Sequence, residues 1–144
     1  MCRKNISGPF KFVCFTNLPD LKCCDSILID NTLPGWWAKF NIFKPSHFDR
    51  NEIVLYFDLD ILILSSIDNL VTKYADLPFV LADCTSSISK KGVIPKYNSS
   101  IMLFKAGSPI VRDLYLDFIR DYQYNISNYR GDQDFIGEYC PNQP

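Results

Sequence analysis

The longest apolar stretch of the chain, Ile53 to Leu64, is interrupted only by two aspartates, Asp58 and Asp60. Its β-branched and aromatic residues suit a buried strand. Similar signals recur on both sides: Phe10 to Thr16, bounded by Gly8-Pro9 and an Asn17-Leu-Pro-Asp20 turn, then Pro78 to Asp83, then Ile101 to Lys105. Between them the apolar spacing becomes helical. Trp36, Phe40 and Phe43 share a helical face until Lys44-Pro45 stops it, and Ile67 to Tyr74 suits a short helix. Gly107-Ser108-Pro109 reads as a helix start, with Ser108 as N-cap and Pro109 at the first helical position. From Ile110 to Tyr122 apolar residues then recur every three or four positions, which is a core face. A further helix is expected within Tyr129 to Cys140, and the polar stretch Cys84 to Lys96 reads as a loop. Strands alternating with helices imply an α/β layer fold with a largely parallel sheet.

Asp58 and Asp60 carry the first chemical signal. Ionised carboxylates are costly inside an apolar strand unless something cationic meets them. A strand turns every second side chain to the same face, so the two carboxylates project together about 6 to 7 Å apart, close enough to share a divalent ion or its waters. The plain alternative is a solvated acidic pair at a strand end. Lys39 stands three residues after Trp36 and four before Phe43, on a face expected to be buried, where an ammonium group needs an anion. A snorkelling surface lysine is its alternative. Asn98, Ser99 and Ser100 open a strand, where amides and hydroxyls can bond a polar ligand, although Asn98 could simply close a turn. Asp132-Gln133-Asp134 stands at a helix entrance, where acids also match the helix dipole.

Composition narrows the field. At 144 residues, with 47% hydrophobic and 15% aromatic content, the chain is one domain or part of one, with ample material for a core. Fifteen basic against sixteen acidic residues give a net charge of -1, and no basic run marks a nucleic-acid surface. There is no apolar stretch long enough to span a membrane and no apolar signal segment near Met1, so the chain reads as soluble and cytoplasmic. Six cysteines are then expected as reduced thiols, and the three Asn-x-Ser sequons carry no meaning without secretion. His47, the single histidine, rules out zinc sites of known spacing and reads as a surface loop residue. Asp83 ends a strand, where aspartate is common. Trp36 and Trp37 could stack on a sugar, but aromatic residues at helical spacing are usually core.

Four segments in order, Trp36-Trp-Ala-Lys-Phe-Asn-Ile-Phe43, Val54-Leu-Tyr-Phe-Asp-Leu-Asp60, Tyr97-Asn-Ser-Ser-Ile-Met-Leu-Phe104 and Gly131-Asp-Gln-Asp-Phe-Ile136, resemble the GT-A-fold nucleotide-sugar glycosyltransferases. The likeness is to the glycogenin and lipopolysaccharide galactosyltransferase group, and covers nearly the whole chain. It implies a GT-A (Rossmann-like) mixed, mostly parallel sheet flanked by helices. It also implies that Asp58 and Asp60 bind Mn²⁺ or Mg²⁺, that Lys39, Asp58, Asn98 and Ser99 contact the donor, and that Asp132 and Gln133 lie beside the donor sugar as catalytic residues. Ser100 departs mildly, since relatives usually carry Gly or Ala there. The implied reaction moves a hexose from a UDP or GDP donor to a glycan, lipid-linked or protein acceptor. In that family a strand and helix precede the segment at Met1 to Thr16 and a further segment follows Gly131 to Ile136, so the resemblance implies a domain, residues 1–144, incomplete at both ends. Two other readings stay open: a haloacid-dehalogenase-like phosphatase with Asp58 as nucleophile, which Leu62 disfavours, and a non-catalytic remnant.

Overall fold

The computed structural model describes residues 2–29, 32–83 and 97–139. Helical turn α1 (Cys2–Asn5) precedes two short strands, β1 (Val13–Thr16) and β2 (Asp25–Leu28), followed by a 3-10 helix (Gly35–Phe43). Then come β3 (Ile53–Phe57), α2 (Asp68–Tyr74), β4 (Phe79–Asp83) and β5 (Tyr97–Lys105), and the chain closes with α3 (Pro109–Arg120), α4 (Tyr122–Asn128) and α5 (Asp132–Tyr139). The stretch 84–96, expected as a loop, lies outside the described residues, as do Cys84 and Cys140.

A mostly parallel, Rossmann-like sheet is not what these strands build. β5 lies between β3 and β4 and runs antiparallel to both, while β1 and β2 form a separate two-stranded parallel ribbon. The alternation rule holds in one respect: β3 and β4, joined through α2, point the same way. They are not neighbours, because β5 inserts between them, with Leu55 opposite Leu103 on one side and Val80 opposite Leu103 on the other. β4 and β5 pair directly as antiparallel neighbours, from Phe79 opposite Phe104 to Asp83 opposite Tyr97. A register shift between Leu81 and Ala82 bends β4 where it approaches the mouth of the sheet.

The core explains the central position of β5. Met102, Leu103 and Phe104 are consecutive and all buried, so this strand is covered on both faces. One covering layer is aromatic: Phe40 of the 3-10 helix stacks on Phe118 of α3 with ring centroids 3.7 Å apart, and Phe135 of α5 meets both edge-on. The face expected for the first helix shifts, because a 3-10 helix repeats every three residues rather than every 3.6. Trp37, Phe40 and Phe43 therefore form the buried row, and Trp36, assigned to that face by helical spacing, is 61% exposed.

The ribbon is held to this body at a few points. Phe15 of β1 packs on His47 and Phe48, Asn5 donates to the Ile63 carbonyl at 3.2 Å, and the Ser7 hydroxyl donates to Asp68 at 2.7 Å. Among the described residues no helix is long and apolar enough to cross a membrane. The described cysteines, Cys2, Cys14, Cys23 and Cys24, are free thiols.

Candidate functional site

The 3-10 helix, the end of β3, the start of β5 and the start of α5 converge on one ammonium group. Lys39 Nζ lies 2.8 Å from Asp132 Oδ2 and 3.2 Å from Asp58 Oδ2, and donates to Ser99 Oγ at 3.0 Å. Lys39 and Asp132 side chains are 8% and 9% exposed, so this is a buried ion pair, while Asp58 is more open at 25%. The Ser99 hydroxyl donates onward to Asp132 Oδ2 at 2.7 Å. These bonds occupy all three N–H donors of the ammonium group. The requirement that a buried lysine find an anion is met within the chain.

Asp58 is further fixed by Tyr56, whose hydroxyl donates to Oδ1 at 2.5 Å. Burial alone would raise the Asp58 carboxyl, but hydrogen bonds from Tyr56 and Ser100 and the nearby Lys39 charge outweigh it and hold the carboxyl below its ordinary value. The Tyr56 phenol is pushed well above its usual range, first by burial and then by Asp58, with Asp132 and Asp60 adding to it. Lys39 also stands 5.7 Å from the centre of the Tyr56 ring. Tyr56 is a site residue that motif reading missed. The signal was present, because residues two apart on a strand share a face and Tyr56 precedes Asp58 by two.

The two aspartates do not share a strand face. β3 ends at Phe57, and although the Asp58 amide still donates to the Ser100 carbonyl at 2.9 Å, the Ile61 amide turns back to the Asp58 carbonyl at 3.1 Å. This turn exposes Leu59 fully and leaves Asp60 exposed. Among the described residues no three carboxylate, imidazole or thiolate groups converge as metal ligands. Asp58 and Asp60 are carboxylates that could serve a hydrated divalent cation, which takes only one or two such groups where phosphate oxygens supply further ligands.

The remaining expected site residues divide. Asn98 turns its side-chain oxygen back to the Ser100 amide at 2.7 Å, which matches the turn-closing alternative. Gln133, half-buried next to Asp132, makes no side-chain hydrogen bond to another described residue. Asp134 is paired with Arg130 across one helical turn at 2.6 Å, an exposed surface pair. Asp83 ends β4 opposite Tyr97. His47 packs against Phe15, and burial, with the Lys44 charge, lowers its imidazole below the ordinary value. An open hollow of about 790 Å³ lies along the ribbon between Phe12 and Cys24 and shares no residue with the Lys39 cluster.

No protein-family model, curated protein or solved structure matches this chain.

Proposed function

We propose that the chain is a cation-assisted glycosyltransferase acting in the cytoplasm. On this reading it moves a hexose from a UDP- or GDP-type donor to a hydroxyl of a glycan, lipid-linked or protein acceptor. The observation that supports it most is the charge imbalance at the end of β3. One ammonium group, Lys39, stands against Asp58 and Asp132, with Asp60 close enough to act on Tyr56, leaving a formal excess of two negative charges. Such a corner repels a bare diphosphate and attracts one accompanied by Mn²⁺ or Mg²⁺. When bound, the cation would neutralise the charge that develops on the departing nucleoside diphosphate.

The protein groups take distinct roles in this reading. Asp60, exposed, is the first carboxylate an arriving cation meets, and Asp58 is oriented behind it by Tyr56 and Lys39. Asp132 is a positioning residue, because its carboxylate is engaged by Lys39 and Ser99. Lys39 can reach a phosphate oxygen by exchanging it for the longer of its two carboxylate contacts, that to Asp58 at 3.2 Å. Gln133 and the Asn98 amide nitrogen are the groups for sugar hydroxyls, whereas the buried Ser99 hydroxyl, engaged by Lys39 and Asp132, acts on the donor through those two side chains. Both Asp58 oxygens already accept hydrogen bonds, which counts against the phosphatase alternative with this residue as nucleophile. Free thiols at Cys14, Cys23 and Cys24 suit a reducing compartment.

Isothermal titration with UDP tests the proposal. Binding heat is expected with Mn²⁺ present, none in chelator, and strong loss in Asp60→Ala. Folded protein that gives no heat with UDP and Mn²⁺ would reduce the cluster to a structural ion pair.

A further inference from the structure

Trp36 is the first residue of a row that runs from solvent into the site. In the 3-10 helix, residues three apart eclipse, so Trp36, Lys39 and Ile42 lie on one line. Exposure falls along it: Trp36 is 61% exposed, the Lys39 side chain 8%, and Ile42 2%. The indole therefore stands at the rim of the face whose next member is the ammonium group held by Asp58 and Asp132.

A second contact places the same ring independently. A Cβ added at Gly131 would meet Trp36 Nε1 at 3.3 Å, with two more indole atoms at 3.7 Å. The pyrrole edge of Trp36 thus lies against the backbone just before Asp132 and Gln133, and the absence of a side chain at 131 lets it approach so closely.

We infer that Trp36 is a stacking platform for a pyranose ring at the mouth of the Lys39 site. The inference rests on the proposed transfer of a hexose and names the surface that would hold the sugar. A pyranose has an apolar face of C–H groups and a rim of hydroxyls. An open indole offers a matching flat apolar surface, and the Gln133 amide, two residues beyond the Gly131 backbone that seats the indole, offers a partner for the rim. Trp37, its neighbour in sequence, is buried against Phe118 and cannot serve.

The platform is tested by titrating the chain and its Trp36→Phe and Trp36→Ala variants with methyl β-galactoside, methyl α-glucoside, UDP and UDP-hexoses, the last two with Mn²⁺. The difference in emission between wild type and Trp36→Phe isolates the indole at 36. Neutral pyranosides and UDP-hexose are expected to shift that emission, with UDP alone leaving it in place. Trp36→Ala should weaken pyranoside binding about tenfold and Trp36→Phe should restore most of it, the melting temperature staying near wild type in both. An indole silent to every pyranose, or moved equally by UDP and UDP-hexose, would overturn the platform. If it is silent while UDP and Mn²⁺ still bind, the transfer reading survives without it. If pyranosides bind through Trp36 while UDP and Mn²⁺ give no heat, the platform stands and the transfer reading falls.

Discussion

Lys39 sits in a nearly closed site where two carboxylates and a hydroxyl accept its N–H hydrogen bonds. Removing it leaves Asp132 buried without a counter-charge, so Lys39→Met should destabilise the fold by about 3 to 5 kcal/mol in urea unfolding at neutral pH. The double variant Lys39→Met with Asp132→Asn should recover a large part of that loss, because the remaining buried carboxylate is then neutral. Asp58 adds a pH dependence whose direction is set by its lowered carboxyl. As pH falls through its ordinary value of 3.8, the unfolded chain takes the proton first, so the stability contributed by Asp58 is complete above that value. It is lost as pH falls further, through the lower folded-state value. Asp58→Asn should therefore flatten the acid limb of a stability curve measured between about pH 5 and 2, and Tyr56→Phe should shift that limb to higher pH. An acid limb that is the same in wild type and Asp58→Asn would show that other carboxylates control it. The charged residues of this cluster were legible in the sequence because charges inside apolar runs are anomalies that demand partners. Asp60 misled, since strand alternation cannot be carried past Asp58, whose amide makes the last bond to Ser100 before the chain turns out of the sheet.

The 3-10 helix shows how an element can be placed correctly in sequence while its faces are rotated. Its residues, Gly35 to Phe43, end where Lys44-Pro45 stops them, but a repeat of three exchanges Trp36 for Trp37 on the buried side. A clear contrast in stability follows. Phe40 is fully buried and stacked on Phe118, so Phe40→Ala should cost about 3 to 5 kcal/mol, whereas Trp36→Ala on the exposed row should stay within about 0.5 kcal/mol. Comparable losses from both in denaturant unfolding would mean that helical spacing had assigned the faces correctly after all. Elements with strong local signals were readable: α3 begins at Pro109 after Ser108, α2 spans Asp68–Tyr74, and β4 covers Phe79–Asp83. β2 was not, because Asp25-Ser-Ile-Leu28 is too short and polar to stand out, and its pairing with β1 is a long-range fact. The direction of β5 was not readable either, since strand polarity depends on which neighbour it meets and not on its own residues.

At the scale of the molecule, two sheets of unequal strength share one chain. The three-stranded sheet has five paired positions on each side of β5, and its central residues Met102, Leu103 and Phe104 are almost fully buried beneath the aromatic layer. The β1–β2 ribbon has four paired positions, no buried residue, and exposed Phe12 and Leu28 at its ends. Its strands are parallel, yet only residues 17–24 join them, fewer than a parallel crossover ordinarily requires. Parallel pairs are usually stable when both faces are covered, and a two-stranded sheet has little cooperative support of its own. Local opening should therefore release the ribbon well before the global transition. Amide hydrogen exchange should find Leu103 and Phe104 protected to the level of global unfolding, with Phe15 and Ile27 exchanging orders of magnitude faster through a local route. Phe48→Ala should widen the gap by removing one aromatic contact that seats Phe15, although loss of its packing on Phe104 would also lower global stability somewhat. Equal protection in the two sheets would instead mean that the attachments at Phe15, Asn5 and Ser7 join them into a single cooperative unit, with the ribbon drawing its stability from the body that holds the Lys39 site.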